Sequence, residues 1–305
     1  MDSLSTANVE FCLDVFKELN SNNIGDNIFF SPLSLLYALS MVLLGARGES
    51  AEQLEKVLHF HPTVDSLKPA FKDSPKCSQA GRIHSEFGVL FSQINQPDSN
   101  YTLSIANSLY GTKTMAFHQD KNVTVEMMYQ IGTFKLAFLK EPHMQVLELP
   151  YVNNKLSMII LLPVGTANVK QIEKQLNSST FHEWTSSSNM MEREVEVHLP
   201  RFKLEIKYEL NSLLKSLGVT DLFNQVKADL SGMSPAKGLY LSKAIHKSYL
   251  DVGEEGTEAA AATGDSIAVK SLPMRAQFKA NHPFLFFIRH THTNVILFCG
   301  KLASP

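Results

Sequence analysis

The segment Glu254-Glu255-Gly256-Thr257-Glu258-Ala259-Ala260-Ala261-Ala262-Thr263 is the most informative stretch of this 305-residue chain. Its run of four alanines favours a helix when considered alone, but it follows Ile245–Val252, whose alternation is typical of a strand. If the segment became a strand, one face would carry only small side chains, namely Thr257, Ala259, Ala261 and Thr263. Small side chains can enter a packed sheet without displacing bulky neighbours. The composition therefore indicates a mobile loop that can insert into a sheet.

The overall composition indicates one domain and excludes two kinds of partner. The chain is 44% hydrophobic and long enough to bury a large core. No repeat or low-complexity linker interrupts it, so we expect a single domain over residues 1–305. The formal net charge is only −2, which gives no electrostatic attraction to nucleic acid or to an anionic membrane. We expect neither as a partner, and we expect a monomer.

The three cysteines, Cys12, Cys77 and Cys299, are far apart in the sequence. Their number is odd and their spacing does not fit a metal site. The sequence therefore predicts three isolated thiols and a reducing compartment.

The N-terminal region favours a cytoplasmic location. The first residues are polar and lack the basic start and the cleavage site of a secretory signal. One uncharged stretch, residues 28–45, is long enough to raise the question of a membrane span. Ser31 at an N-cap and Pro32 at the first helical position mark the start of a helix inside this stretch. That helix would have about fourteen residues, too few to cross a bilayer.

Hydrophobic periodicity predicts helices in the first hundred residues and strands after Val123. One helical repeat consists of Val9, Cys12, Leu13, Phe16 and Leu19. Three prolines make a continuous helix improbable in His61–Gln79, so this segment reads as a loop. Residues 144–149 and 156–162 flank the turn-forming pair Asn153-Asn154, and we predict a hairpin there.

Several segments, in the right order along the chain, resemble signature segments of the serpin family. They are Asn27-Ile28-Phe29-Phe30-Ser31-Pro32-Leu33-Ser34, Leu199-Pro200-Arg201-Phe202-Lys203-Leu204, Ala228-Asp229-Leu230-Ser231-Gly232-Met233, His282-Pro283-Phe284-Leu285-Phe286-Phe287-Ile288-Arg289 and Phe298-Cys299-Gly300-Lys301-Leu302-Ala303-Ser304-Pro305. The resemblance is to the ovalbumin-type clade B branch. It implies an α+β serpin fold with many helices, three β-sheets and a C-terminal reactive-centre loop. It also implies possible release to the extracellular space without a cleaved signal peptide, since residues 28–45 resemble an inefficient internal signal.

An internal segment of the family pattern is missing at the Gln119/Asp120 junction. The family domain is longer than this chain by roughly eighty to ninety residues, and the shortfall falls in this one place. By resemblance, the missing piece includes a central strand of the main sheet, beside which the reactive loop inserts, and the helix that covers the sheet. Exon skipping or an incomplete gene model would each produce this gap.

The resemblance assigns the reactive bond to Lys270-Ser271, fourteen residues along the family pattern from Gly256. The hinge of the loop would comprise Glu254, Gly256, Thr257, Ala259, Ala261 and Thr263. A lysine before the bond suits trypsin-like proteases, whose specificity pocket ends in a carboxylate that pairs with the buried charge. The alternative is that Lys270 is an ordinary solvated loop charge.

The resemblance also implies two clusters that control opening of the main sheet. Ser31, Ser34 and His246 match the shutter, whereas Arg201 and Glu254 match an ion pair at the point where insertion begins. Considered alone, a histidine on a strand is more often a satisfied core residue than a switch. The family match favours the shutter.

The sequence carries no convincing enzyme, metal or cofactor motif. Gly264-Asp265-Ser266 lacks the second glycine and the setting of a nucleophile elbow. His290 and His292 have no third ligand nearby in sequence, so we expect strand-end histidines rather than a metal site. We therefore predict a serpin-type inhibitor of trypsin-like serine proteases, with no catalytic residues and no cofactor. The alternatives are a non-inhibitory serpin, serving as a protease substrate or binding protein, and an inactive truncated isoform.

Overall fold

The computed structural model describes residues 2–22, 24–60, 77–94, 112–117, 123–235, 238–253 and 275–305. In these ranges the helices are α1 (Asp2–Asn22), α2 (Pro32–Gly45), α3 (Gly48–Val57), α4 (Cys77–Ile94), α5 (Val169–Gln175), α6 (Ser178–Trp184) and α7 (Asn211–Leu217). The strands are β1 (Ile28–Phe30), β2 (Thr112–Phe117), β3 (Val123–Leu139), β4 (Met144–Pro150), β5 (Leu156–Pro163), β6 (Met191–Pro200), β7 (Phe202–Glu209), β8 (Ile245–Val252), β9 (Ala276–Lys279), β10 (Phe284–His290) and β11 (Ile296–Leu302). Helices dominate the N-terminal part and strands the remainder, which confirms the predicted α+β class.

Most of the described strands form one large sheet in the order β1-β11-β10-β5-β4-β3-β6-β9, with β2 also paired to β3. The long strand β3 connects its two parts. The end of β3 pairs with β4 through Lys135–Leu139, while Met127–Leu136 pairs with β6 on the other side. Because one strand continues through both parts, two regions of sheet are joined without a break.

A separate two-stranded sheet consists of β7 and β8, which are antiparallel. Side chains along β8 alternate strictly between exposed and buried, as expected for a strand with one face on the core. Among the described strands, β8 pairs only with β7.

Two local predictions are confirmed. β4 and β5 form an antiparallel hairpin, and both Asn153 and Asn154 have positive φ, 63° and 54°. The helix that begins after Ser31 is α2, with 14 residues, and Ser31 accepts a hydrogen bond from the amide of Ser34. No helix in the described ranges is long and apolar enough to span a membrane.

The predicted loop His61–Gln79 ends earlier than expected, because α4 already begins at Cys77. Residues 61–76 lie outside the described ranges. The three prolines that motivated the loop all precede Cys77, so they place no restriction on the helix that starts there.

The two cysteines whose side chains the structure describes, Cys12 on α1 and Cys299 on β11, are buried free thiols. Their elements are in contact, because α1 packs against β11. There the side chain of Asn8 exchanges two hydrogen bonds with the backbone of Ile296. Residues at opposite ends of the chain are thereby brought together, which spacing along the sequence does not reveal.

A stack of phenylalanines packs between the two sheets. The ring of Phe29 stacks on Phe286 and on Phe298, with centroids 6.1 and 5.4 Å apart. Phe286 in turn contacts Phe202 of β7, at 5.6 Å. Gly300, which pairs with both Phe29 and Phe286 across the sheet, leaves the space that the rings occupy.

Replacement of Gly300 by alanine should destabilise the fold. A Cβ atom at this position would lie 2.3 Å from Cζ of Phe286 and 2.9 Å from the carbonyl oxygen of Ile28. Overpacking of this kind costs about 1–3 kcal/mol. We expect urea unfolding to show a loss of this size for Gly300→Ala.

Gly88→Ala is the matched control, because Gly88 lies on α4 and nothing is within 4 Å of the added Cβ. Alanine should stabilise this exposed helical position by about 0.5–1 kcal/mol. Equal effects of the two substitutions would show that the contact with Phe286 does not limit packing.

Candidate functional site

The free backbone groups of β1 are satisfied by side chains of the two-stranded sheet. The amide of Ser31, directly after β1, donates to Nε2 of His246 at 3.0 Å. The carbonyl of Phe29 accepts from Oγ of Ser248 at 2.7 Å, and the amide of Phe29 donates to the hydroxyl of Tyr208 at 3.3 Å. We call Ser31, Tyr208, His246 and Ser248 the β1–β8 cluster.

Strand alternation explains why the side chains of Tyr208, His246 and Ser248 point to β1. His246 and Ser248 are two residues apart on β8 and share its buried face. Tyr208 lies directly opposite His246 in the β7–β8 pairing and therefore lies on the same face. The register of one antiparallel pair thus positions three polar groups against one edge strand.

Ser31 connects three elements. Its Oγ donates to the carbonyl of Leu297 at 2.8 Å, which ties it to β11. The same oxygen accepts from the amide of Ser34 at 3.2 Å and so caps α2. Ser34 contributes through its backbone, since its side chain is exposed. Of the two predicted shutter serines, Ser31 is buried and contacts His246 through its backbone amide, while its hydroxyl bonds Leu297 and Ser34.

The hydrogen bond from Ser31 fixes the protonation state of His246. An amide can only donate, so Nε2 must present a lone pair and the ring must be neutral. Only 7% of His246 is exposed, and burial lowers its pKa below the usual value. Protonation would remove the acceptor and place a charge in the core.

Sequence reasoning did not find Tyr208 or Ser248. Burial raises the pKa of Tyr208 to about 12, so its hydroxyl keeps its proton at neutral pH. The signal in the sequence was Ser248 itself, a polar residue two positions after His246. It lies on the face of the strand that also carries Leu250 and Val252. A buried polar side chain requires a hydrogen-bond partner, and here the partner is the edge of β1.

Arg201 lies in the short connection between β6 and β7. Its amide donates to the carbonyl of Glu126 at 2.8 Å, and its guanidinium lies 3.9 Å from the Glu126 carboxylate. A Cβ atom placed on Gly253 would lie 3.4 Å from Nε of Arg201. The arginine is therefore next to the residue that precedes Glu254, its predicted partner. Glu254 itself lies outside the described residues, so the predicted pair stays a prediction.

The remaining predicted site residues also lie outside the described residues. They are Gly256, Thr257, Ala259, Ala261 and Thr263 of the hinge, and Lys270 and Ser271 of the reactive bond. The two flanking strands are described. β8 ends at Val252 in the two-stranded sheet, and β9 begins at Ala276 in the large sheet.

The described part of the chain contains no group of three His, Cys, Asp or Glu side chains that could hold a metal. His290 and His292 have ring centroids 5.9 Å apart. Nδ1 of His290 forms a hydrogen bond with the hydroxyl of Thr293 at 2.9 Å. This contact anchors the histidine at the end of β10.

The protonation state of His246 predicts a pH dependence of stability. Because its folded-state pKa is lowered, the unfolded chain binds more protons once the pH falls below about 6.5, the pKa of an unperturbed histidine. The stabilising contribution is present above that pH and is lost as the pH decreases. We expect His246→Gln, which can accept from Ser31 but does not titrate, to lose less unfolding free energy than the wild type between about pH 7 and pH 5.

Urea unfolding at both pH values measures this difference. The other histidines are present in both proteins, so their titration cancels in the comparison. Parallel pH profiles for wild type and His246→Gln would contradict the assignment of a neutral, buried His246.

The fold and the cluster define a known class of protein. A model of the family described as "Serpin (serine protease inhibitor)" matches residues 6–121 and 111–305. The chain belongs to the serpins. It is 73% identical to Serpin B11 of Homo sapiens and 37% identical to the leukocyte elastase inhibitor of Equus caballus, with complete coverage of both chains in each comparison. A solved structure of uncleaved ovalbumin, 28% identical, matches with a TM-score of 0.83 and covers 99% of this chain and 100% of its own.

The comparisons also confirm the missing internal segment. The alignment with Serpin B11 of Homo sapiens runs over 392 positions and covers both chains completely. Since this chain has 305 residues, 87 of those positions have no counterpart in it. The family model matches in two pieces that meet within residues 111–121, which include the Gln119/Asp120 junction.

Proposed function

We propose that this chain presents Lys270-Ser271 as bait to trypsin-like serine proteases, and that the shortened form is cleaved as a substrate without trapping the protease. The single observation that carries the second part is that β8 pairs only with β7 among the described strands. The first part is supported by membership of a serine protease inhibitor family and by the lysine in the reactive-bond position.

The neighbouring strands support the position of the bait. The reactive bond lies on the connection between Val252 at the end of β8 and Ala276 at the start of β9. Phe278 is fully buried on β9 and lies opposite Val197 of β6. A connection between strands of two different sheets is suited to present an exposed bond to a protease.

Inhibition by a serpin requires more than cleavage. The severed loop must enter the main sheet as a new strand and carry the bound protease with it. Such a strand is stabilised when its backbone forms hydrogen bonds on both sides and its small side chains are buried. β8 can supply one side. The strand expected on the other side belongs to the missing segment, which removes a large part of the driving force.

Inhibition is the second candidate function, and two observations favour it. The small-residue hinge between Gly256 and Thr263 is intact in the sequence. The contact between Ser31 and His246, expected to control sheet opening, is formed at 3.0 Å. A protease complex that survives SDS would identify this outcome.

A third candidate is a chain without independent activity. Ile245 and Tyr249, on the outward face of β8, are each 52% exposed, on the sheet whose covering helix is expected in the missing segment. Exposed apolar groups on an incompletely paired sheet favour aggregation. Cooperative thermal unfolding of the purified chain would exclude this candidate, whereas its absence would favour it.

Lys270→Ala should abolish cleavage at the reactive bond by trypsin. The lysine supplies the charge that pairs with the carboxylate of the specificity pocket, and alanine cannot. Mass spectrometry after brief trypsin treatment should find a cut after residue 270 in the wild type only.

Two controls sharpen this test. Lys270→Arg keeps the charge and should still be cut, and Lys279→Ala, on the exposed side of β9, should leave the cut unchanged. The same fragment masses from wild type and Lys270→Ala would show that the reactive bond lies elsewhere.

Cleavage at Lys270 should produce neither an SDS-stable complex nor a large gain in melting temperature. Both depend on insertion of the loop beside β8, for which one of the two strand partners is missing. Calorimetry before and after limited trypsin treatment, with SDS gel electrophoresis of the reaction, measures both. A large thermal gain or a stable complex would mean that another segment replaces the missing strand.

A further inference from the structure

The side chain of His59, which the function proposed above does not use, bridges two helices. His59 follows the end of α3 at Val57. Its Nε2 lies 2.8 Å from the carboxylate of Asp14, and its Nδ1 lies 3.3 Å from the carboxylate of Glu10. Glu10 and Asp14 are one turn apart on α1 and therefore share one face of that helix. Each ring nitrogen of one histidine thus faces a carboxylate.

This arrangement favours a charged ring. A ring nitrogen without a proton presents a lone pair, which an ionised carboxylate repels, whereas a protonated nitrogen can donate to it. A proton on both nitrogens makes the ring an imidazolium cation. Two carboxylates one turn apart on a helix repel each other, and the cation between them offsets that repulsion. The hydrogen bond to Asp14 raises the pKa of His59 above its usual value, and the charges of Asp14 and Glu10 add to this against the effect of burial.

The backbone holds the ring in place. The amide of Phe60 donates to the carbonyl of Glu55 at 3.0 Å. The amide of His59 donates to the carbonyl of Lys56 at 3.3 Å. These two bonds form the Schellman motif that ends α3, and they leave His59 in the left-handed region with a φ of 56°. Glycine is the usual residue at this position because a Cβ atom is unfavourable there. The contacts of the His59 ring with α1 offset that cost.

We propose that His59 is a pH-dependent latch between α3 and α1, closed while the imidazolium contacts both carboxylates and partly opened when one proton leaves to solvent. The side chain of His59 is 23% exposed, so protons can reach the ring. A neutral ring has one N–H and one lone pair. The N–H stays with Asp14, whose oxygen is closer, and the lone pair then faces the carboxylate of Glu10. Loss of the proton therefore releases Glu10 first.

The latch and the β1–β8 cluster respond to pH in opposite directions. Because the folded-state pKa of His59 is raised, its contribution to stability is complete below about pH 6.5 and is lost as the pH rises through the raised value. The neutral His246 contributes above that pH and loses its contribution on acidification. Acidification should therefore weaken the contact between β1 and β8, whereas a rise in pH should loosen the end of α3.

Nuclear magnetic resonance of the full chain, with isotope-labelled histidine rings, measures the titration of His59. Its signal is the one missing from His59→Asn. We expect a midpoint above 6.5, the ordinary value for histidine, and Asp14→Asn should lower it. Glu18→Gln is the matched control, because this carboxylate lies one turn further along α1 and contacts Asn22. Its effect on the midpoint should be smaller. A midpoint at or below 6.5, or equal shifts in the two variants, would overturn the proposal.

Hydrogen exchange tests whether the end of α3 loosens. After correction for the intrinsic effect of pH, protection of the Phe60 amide should fall between about pH 6 and about pH 9 in the wild type and fall less in His59→Asn. Asparagine tolerates the left-handed backbone and can donate to one carboxylate, but it does not titrate. If this variant does not fold, Asp14→Asn takes its place in the comparison. Parallel pH profiles of wild type and variant would contradict the latch.

Discussion

The edge of β1 must satisfy its free backbone groups, and the way it does so determines how the two sheets are placed. Among the described strands, β1 pairs only with β11. On the other side, Tyr208, His246 and Ser248 supply the donors and acceptors. A buried amide or carbonyl that loses its partner costs about 1–3 kcal/mol. A slip of β8 by one residue would turn His246 and Ser248 to the outside, so these contacts also fix its register.

Local sequence patterns predicted the local parts of the fold. Ser31 and Pro32 predicted the start of α2 because a cap and a fixed φ act within one turn of helix. Asn153 and Asn154 predicted the β4–β5 hairpin because both tolerate positive φ. The continuity of β3 could not be read in this way, since it depends on partners on both sides of the strand. These partners are β4 and β6, which are far apart from each other in the sequence.

The candidate site shows the same division. The family resemblance indicated Ser31 and His246, and in the structure the amide nitrogen of Ser31 lies 3.0 Å from Nε2 of His246. Ser248 and Tyr208 were missed because their role depends on the register between β7 and β8 and on the position of β1. The contact between Asn8 and Ile296 was also missed, because no spacing rule connects residues at opposite ends of a chain. Only the packing of α1 on β11 brings them together.

The β1–β8 cluster and the expected site of loop insertion use different sides of β8. The side chains of His246 and Ser248 point from its buried face towards β1, whereas an inserted strand would pair with backbone groups along its edge. Loss of a neighbouring strand therefore leaves the hydrogen bonds of the cluster intact. It removes backbone partners that an inserted strand needs, so such a strand would gain hydrogen bonds on one side only. Under the proposed function, recognition of the protease and control of the sheet are thus physically separable from the force that would trap the protease.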